Sequence, residues 1–308
     1  LNQFVLIQTE SCMILLGRRD GGSLSKEKML YTMGFSQKKS ARLADKVAFT
    51  RALKPYFRVK YRDLPWRRVV MPYKILVSEI MLQQTQVDRV QPKYISFQKR
   101  IPTVRVLARA PLSSVLKSWL GLGYNRRAKM LHEAAKSIVS EHAGIVPSSY
   151  TDLRALPGVG DYTAKAVRVF AFDEWETMVE TNIRAVFLHH FFPKSRHVSD
   201  TQIVQYIELF RNRAPRAFYA ALMDYGTDIK STTEHATRRS AHYVRQKPFR
   251  GSDREIRGAI VRALAKQGHS RESLLALPFA KERLRRQIKK LIAEKLIELH
   301  RGRYRLPA

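Results

Sequence analysis

The chain of 308 residues carries 57 Lys and Arg against 26 Asp and Glu, which gives a formal net charge of +31. A surplus of this size favours a polyanionic partner over a merely soluble surface, because it attracts phosphate over long distances. The single cysteine, Cys12, excludes an intramolecular disulfide and an all-cysteine metal cluster within one chain, and the apolar runs are too short to span a membrane.

The first part of the chain is predicted to be helical after a loosely ordered start. Residues 18–40 are rich in Gly, Ser and Lys, and we expect the whole stretch 1–40 to be a poorly ordered N-terminal extension. From residue 41 to the mid-170s, apolar residues recur at the three- and four-residue spacing of amphipathic helices. Further helices are predicted near 180–190, 200–211 and 214–226. Because strand-like alternation is nearly absent, the body is predicted to be all-α.

The pattern of predicted elements changes after residues 247–252, where Pro and Gly interrupt the helical periodicity. Beyond them the pattern predicts three helices and then a β-hairpin. This order is typical of a winged-helix domain, an α+β fold, which we place at 248–308. The predicted helices cover 253–265, 270–276 and 279–296, and the predicted strands cover 296–300 and 303–306.

The third predicted helix of this domain is strongly basic. Arg286 and Lys289 lie on it and are predicted DNA contacts, because the third helix of such a domain is the one that enters a groove. The alternative is a solvated basic helix in a module that binds another protein. The charge of the rest of the chain favours nucleic acid.

The segment Leu156–Gly160 reads Leu-Pro-Gly-Val-Gly between two predicted helices. Pro157 ends the first helix, Asp161 is predicted to cap the second, and the two glycines permit positive φ and close approach of another backbone. The amides of this turn and of the new helix then point outward together and form an anion site that suits a DNA phosphate. Such a turn alone is weak evidence, since any tight helix–helix connection can use it.

Other motifs surround this turn, and the most specific is the run 77–87, Val-Ser-Glu-Ile-Met-Leu-Gln-Gln-Thr-Gln-Val. These motifs make the chain resemble the helix-hairpin-helix family of base-excision DNA glycosylases, and within it the MutY-type adenine glycosylases. The resemblance covers roughly residues 60–230. The resemblance implies a two-lobed all-α glycosylase fold, with a six-helix barrel at 73–177 and a second helical domain at 41–72 plus 178–247. The other matching motifs are Leu64–Arg67, Pro72–Lys74, Gly121–Tyr124, Leu156–Gly160 and Ala221–Gly226.

Two carboxylates are the predicted catalytic pair. Glu79 lies in an otherwise mostly apolar stretch, so desolvation is expected to raise its pKa and let it give a proton to a leaving base, as the matching Glu of the family does. The resemblance places Glu180 where the family has an Asp that stabilises the cationic sugar. The longer side chain fits three hypotheses: a shifted pocket, a slower enzyme, or a protein that binds DNA without cutting it. Asn182 matches the residue that orients sugar and water.

Tyr162 is the third predicted determinant of the chemistry. It occupies the position at which bifunctional relatives such as endonuclease III carry a Schiff-base lysine. Without an amine there, β-elimination by that route is not expected. The resemblance therefore implies a monofunctional glycosylase without AP lyase activity.

The resemblance also assigns residues to DNA and to the base. Gln84 matches the wedge that fills the gap left by a flipped nucleotide, and Tyr124 matches a second, base-stacking intruder. Arg67, Leu82 and Trp66 resemble the lining of an adenine pocket, although ordinary core packing is the alternative, above all for Leu82 and Trp66. The remaining predicted DNA contacts are Gln83, Thr85, Gly158, Val159 and Gly160.

The cofactor of the family is not expected in this chain. Relatives end the domain with four cysteines that hold an iron–sulfur cluster, whereas the matching positions here fall near Lys230, Thr237, Ser240 and Gln246. We expect no cluster and no metal, and leave open a monovalent cation at the hairpin. The family also carries a C-terminal Nudix-like domain that reads 8-oxoguanine, and we expect the winged-helix candidate in its place here.

The sequence therefore predicts a monofunctional DNA glycosylase of base excision repair that hydrolyses the N-glycosidic bond of a flipped base. Adenine in A:8-oxoG or A:G mismatches is the first choice. The alternatives are a thymine or uracil mismatch glycosylase and a non-catalytic DNA-binding protein. We expect a monomer that acts on double-stranded DNA, without a membrane, in the cytoplasm at the nucleoid.

Overall fold

The computed structural model describes residues 4–9, 12–17, 45–232, 237–243 and 248–308. The chain divides into two compact units, Leu1–Ala52 and Leu53–Ala308.

The first unit contains an antiparallel β-hairpin within the stretch predicted to be poorly ordered. Strand β1 covers Phe4–Thr9 and strand β2 covers Cys12–Gly17, and they pair over their full length. The sequence predicted no strand here, although runs of Val, Ile and Leu favour extended backbone. The rest of the predicted extension, 18–40, lies outside the described residues.

From residue 45 onward the described chain is built from α-helices joined by short turns, which confirms the predicted all-α body. The helices are α1 over 45–53, α2 Pro72–Leu82, α3 Val87–Arg100, α4 Val104–Arg109, α5 Leu112–Trp119, α6 Arg126–Glu141, α7 Tyr150–Ala155, α8 Asp161–Phe172, α9 Thr181–Phe191, α10 Asp200–Ile207, α11 Pro215–Thr232, α12 Asp253–Lys266, α13 Arg271–Leu275 and α14 Lys281–Ala293. Short 3₁₀ turns cover Lys54–Phe57, Pro65–Arg67, Glu208–Phe210 and Thr237–Arg239.

Helix α2 lies at the centre of the second unit. Every residue from Ile75 to Met81 is buried, and α3, α6 and α8 pack around the helix. The apolar core around it continues into α12, α13 and α14, and the backbone N–H of Ser113 donates to the carbonyl of Pro307 at 2.9 Å. The barrel and the C-terminal helices therefore share one core, and the predicted domain bounds stay predictions.

Helices α9 and α11 form the closest helix pair of the second unit. A Cβ atom at Gly226 of α11 would lie 2.2 Å from the backbone oxygen of Asn182 on α9. No side chain fits in that space, so glycine at this position lets the two helices touch through their backbones. The contact fixes the start of α9 against α11.

The C-terminal segment has the order predicted for a winged helix. Helices α12, α13 and α14 are followed by β3 (Glu298–His300) and β4 (Arg303–Arg305), which pair antiparallel. Helix α14 ends earlier than predicted, at Ala293. Lys295 adopts φ +55°, and the N–H of Leu296 returns to the carbonyl of Leu291 at 2.9 Å, so the helix closes with a Schellman-type turn.

The hairpin between α7 and α8 differs from the prediction in its cap. Gly160, not Asp161, is the N-cap residue of α8, and no side chain caps the helix. The carboxylate of Asp161 instead accepts from the hydroxyl of Tyr150 at 2.7 Å and pairs with Lys165 at 3.1 Å. The prediction of Asp161 as a cap was wrong, because its side chain has partners on both sides that the local pattern does not reveal.

None of the helices in the described part of the chain is long and apolar enough to cross a membrane.

Candidate active site

Glu79 is the central ionisable group of the site. It sits in α2 among buried residues, and 7% of it is exposed. Burial raises its pKa to about 8, and the nearby charge of Glu180 adds to the rise, while the charge of Arg67 opposes it. The carboxyl group therefore carries its proton at neutral pH, as the apolar neighbours predicted.

Glu180 is held at the start of α9 as its N-cap. Its Oε1 accepts from the backbone N–H groups of Asn182 at 2.7 Å and Ile183 at 3.0 Å. The side-chain amide of Asn182 donates to Oε2 at 3.3 Å. A carboxylate at a helix N-terminus is stabilised by these donors and by the helix dipole. The extra methylene relative to Asp is thus accommodated by a side chain that folds back onto the helix.

Tyr162 completes a cluster with the two carboxylates. It is the second residue of α8, and burial raises its pKa well above 10, with further contributions from the charges of Glu79 and Glu180. Its phenol therefore stays neutral. Three predicted catalytic residues that are far apart in sequence thus come within electrostatic reach of one another.

Asn182 brings an unpaired acceptor to this cluster. Its Oδ1 is buried and has no hydrogen-bond partner among the described residues. An unpaired buried acceptor costs free energy unless a ligand or water supplies a donor. Lys230 on α11, which lies within electrostatic reach of Glu180, was not predicted to be near the site. Burial lowers the pKa of Lys230, whereas the charge of Glu180 raises it.

Arg67 lies near the site, but its hydrogen bonds point elsewhere. Its guanidinium donates to both oxygens of Asp224, at 2.6 and 2.9 Å, and to the carbonyl of Ala220 at 3.2 Å. The side chains of Arg67 and Asp224 are 8% and 1% exposed, so this is a buried bidentate ion pair. The role of Arg67 in lining the base pocket stays a prediction. The sequence did not identify Asp224 as its partner.

Trp66 and Leu82 pack in or against the apolar core, which was the alternative to a role in the base pocket. Trp66 is 6% exposed and meets the ring of Tyr94 edge-on at 5.5 Å between centroids. Leu82 is partly buried and packs against the same core. Trp66 thus packs within the core, and Leu82 contributes to the core from the last turn of α2.

The two predicted intruders share an unusual backbone conformation. Gln84 follows α2 with φ +54° and is exposed, and Tyr124 precedes α6 with φ +47°. Non-glycine residues adopt this left-handed region rarely, and such strain concentrates at functional sites. Gln83 and Thr85 flank Gln84. The amide of Gln83 donates to the hydroxyl of Thr163 at 3.1 Å.

Arg127 joins the two intruder loops and was not predicted from the sequence. Its guanidinium donates to the carbonyls of Ile80 at 2.9 Å and Met81 at 3.0 Å, and to the hydroxyl of Thr85 at 2.9 Å. It also reaches the carbonyl of Gly123 at 3.2 Å. Burial lowers its pKa to about 10, so it remains a cation. One side chain thus ties the end of α2 to the loop before α6.

The hairpin Leu156–Gly160 forms a tight turn between α7 and α8, in which the backbone N–H of Val159 donates to the carbonyl of Leu156 at 3.1 Å. Gly158 adopts φ +79°, and a Cβ there would lie 2.7 Å from the Cβ of Met130, so glycine is required. Gly160 does not use the positive φ that glycine permits, and the space beside it is empty. The carbonyl of Val159 is held by Arg154 at 2.9 Å.

The C-terminal helix α14 exposes the predicted basic residues. Arg286 and Lys289 are exposed on one side of it, together with Lys290. Arg283 is occupied by Asp253 at 2.7 Å. The exposed cations leave this helix available to a polyanion.

The segment after α11 does not fit an iron–sulfur cluster. Lys230, Thr237 and Ser240 offer no thiolate, and Gln246 lies outside the described residues. Among the described residues, no group of three or more His, Cys, Asp or Glu could hold a metal ion. The turn there is tied down by backbone bonds instead, because Val198 N–H donates to the carbonyl of Arg239 at 2.9 Å.

Comparison with known proteins agrees with this geometry. The family of HhH-GPD superfamily base excision DNA repair proteins matches residues 77–212. An adenine DNA glycosylase of Mycolicibacterium smegmatis is 38% identical over 222 residues, which cover 66% of this chain and 75% of that protein. One from Mycobacterium tuberculosis is 34% identical over 231 residues, covering 68% and 76%.

Solved structures show the same fold. A thermostable thymine-DNA glycosylase superposes with a TM-score of 0.53 and 28% identity, over 59% of this chain and 85% of that chain. A non-covalent endonuclease III–DNA complex superposes with a TM-score of 0.51 and 16% identity, over 60% and 84%. The chain therefore belongs to the HhH-GPD superfamily of base excision DNA repair proteins and is a DNA N-glycosylase related to the adenine DNA glycosylases.

Proposed function

We propose that the protein removes adenine from mismatched duplex DNA by hydrolysis, without cutting the strand. The observation that carries this proposal is the buried Glu79, whose pKa of about 8 keeps it protonated beside the carboxylate of Glu180. A buried carboxylic acid that holds its proton, with a second carboxyl group close by, is what acid-assisted cleavage of a glycosidic bond requires.

The reaction begins at the flipped base. Glu79 gives its proton to a ring nitrogen of adenine, and the electron pair of the C1′–N bond leaves with the base. The sugar is then an oxocarbenium cation, which the negative charge of Glu180 stabilises. Water adds to C1′ and loses a proton to the ionised Glu79, which restores the acid. The unpaired Oδ1 of Asn182 accepts a hydrogen bond from that water.

The reaction ends at the abasic site, because the site offers no amine at position 162. A Schiff base requires a nucleophilic amine, and Tyr162 presents a neutral phenol. We therefore propose that the enzyme lacks AP lyase activity.

DNA is held by three surfaces of the second unit. The turn Leu156–Gly160 binds a phosphate through its backbone amides. The same turn accommodates a monovalent cation. Gln84 and Tyr124 enter the duplex and offset part of the cost of flipping. The basic face of α14, with Arg286 and Lys289, adds phosphate contacts outside the barrel.

Adenine is the proposed base because the relatives named adenine DNA glycosylase are 34–38% identical to this chain. An 8-oxoguanine or guanine opposite it is the proposed context. Thymine opposite guanine is the second candidate, supported by the 28% identity to the thymine-DNA glycosylase structure.

A cleavage assay separates these candidates. Duplexes with A:8-oxoG, A:G, T:G and U:G are incubated with the protein, and abasic sites are then broken with alkali. Breaks in the adenine strand only after alkali are expected. Breaks without alkali would contradict the absence of lyase activity, and breaks in T:G alone would replace adenine by thymine. Binding without product at excess protein would refute catalysis altogether.

A further inference from the structure

Tyr124 is held by a residue from outside the glycosylase motifs. Its hydroxyl accepts a hydrogen bond from the guanidinium of Arg254 at 2.9 Å, and the same guanidinium lies 5.7 Å from the centre of the tyrosine ring. The guanidinium of Arg127 lies 5.3 Å from that ring. Two cations from different parts of the fold, α6 and α12, thus contact one aromatic side chain.

Packing alone does not fix this ring. Tyr124 is only half-buried, and it borders a cavity of about 320 Å³ that is also lined by Gln83, Gly158 and Arg257. Its backbone at φ +47° is itself strained. A ring beside open space on a strained backbone has other orientations available, so polar and cation–π contacts select among them.

Arg254 is well placed to make that selection because its helix is anchored to the barrel. Helix α12 packs against α5 and shares the apolar core. One turn further along α12, Arg257 is tied to Glu294 of α14 at 2.6 Å. The guanidinium of Arg254 is therefore presented to Tyr124 by a rigid element.

We infer that Arg254 is a positioning residue for Tyr124: the C-terminal domain holds the intruding tyrosine in the direction in which it enters the duplex. This inference rests on the proposed function, in which Tyr124 stacks into the gap beside the flipped nucleotide. On this inference the C-terminal domain takes part in base flipping as well as in binding DNA.

Substitution of Arg254 tests the inference on the full chain with an A:8-oxoG duplex. Arg254→Ala is expected to slow single-turnover excision at saturating protein by about tenfold, the size expected for losing one hydrogen bond from a charged donor. The fluorescence rise of a 2-aminopurine placed beside the target, which reports unstacking, is expected to fall with it. Arg254→Lys, which keeps a charged donor, is expected to recover part of both signals.

Arg262→Ala is the matched control, because it removes the same charge from an exposed position of the same helix. Both variants are expected to weaken DNA binding to a similar extent, so that only Arg254→Ala changes excision of bound DNA. Excision by Arg254→Ala equal to that of the control would overturn the inference. Faster excision would overturn it too, since the contact would then restrain Tyr124.

Tyr124→Phe approaches the same hydrogen bond from the barrel side and leaves the C-terminal domain intact. It is expected to slow excision, and Arg254→Ala in its background is expected to cost only about twofold more. If Arg254→Ala lowers the excision rate by the same factor in the wild type and in Tyr124→Phe, the inference is overturned. If Arg254→Ala fails to fold, excision by Tyr124→Phe at the wild-type rate would overturn it instead. If Tyr124→Ala leaves excision unchanged, or the wild type cleaves no duplex, the proposed function itself has failed.

Discussion

Replacing Glu79 by Gln removes the proposed acid without changing its size, and it is expected to make the protein more stable. In the wild type the pKa of Glu79 is about 8, against an ordinary value of 4.5. The folded state therefore binds this proton more tightly than the unfolded chain, and stability is lost as pH rises from 4.5 towards 8. At pH 7 the loss corresponds to about 2.5 pKa units, or about 3 kcal/mol at 1.36 kcal/mol per unit.

Urea unfolding of both proteins between pH 5 and 9 measures this difference. The Gln variant is expected to gain about 3 kcal/mol over the wild type at pH 7 and little at pH 5. The reason is that ionisation of Glu79 in the unfolded chain, which draws the wild type towards unfolding, contributes little free energy at pH 5, just above the ordinary pKa of 4.5. Excision by the wild type should fall as pH rises through about 8, where Glu79 loses its proton, and the variant should bind DNA without excising a base. A stability difference that is constant over this pH range would refute the raised pKa.

Three further substitutions test the supports of the site. Asp224→Asn leaves the buried guanidinium of Arg67 without a counter-charge and is expected to cost about 3–5 kcal/mol of unfolding free energy in a urea titration. Gly226→Ala places a Cβ 2.2 Å from the backbone oxygen of Asn182, and a loss of about 3 kcal/mol with slower excision is expected; unchanged stability would contradict the close helix contact. Arg127→Leu frees the carbonyls at the end of α2 and is expected to lower the single-turnover excision rate at least about tenfold, whereas retained activity would show that the intruder loops need no common anchor.

The elements that the sequence predicted well are those whose signals are local. The C-terminal order of three helices and a hairpin follows from apolar spacing and from the turn at Arg301 and Gly302, both of which adopt positive φ. The end of α14 was predicted too late, because Lys295 is not a residue that marks a left-handed helix end. The strands β1 and β2 were missed for a related reason, since a short apolar run has no periodicity that separates strand from helix.

The candidate site shows the same division between local and long-range information. The raised pKa of Glu79 was predicted correctly, because the apolar residues beside it in the sequence mark its helix as buried. Arg127 and Asp224 were missed, because their partners lie far along the chain, 46 residues away for Met81 and 157 for Arg67. Asp224 lies within the motif Ala221–Gly226, but the motif does not reveal that its partner is Arg67.

The site also reconciles two demands that conflict in a protein with a net charge of +31. DNA binding needs exposed cations. A carboxylic acid with a raised pKa must lie away from the electrostatic field of cations, since cations favour the ionised carboxylate. Exposed cations such as Arg286 and Lys289 act through water and salt, which screen them within about 10 Å. Arg67, the buried cation whose charge opposes the raised pKa of Glu79, is paired with Asp224, and burial and the charge of Glu180 prevail at Glu79. Removing that pairing is therefore expected to lower the pKa of Glu79 as well as to destabilise the fold.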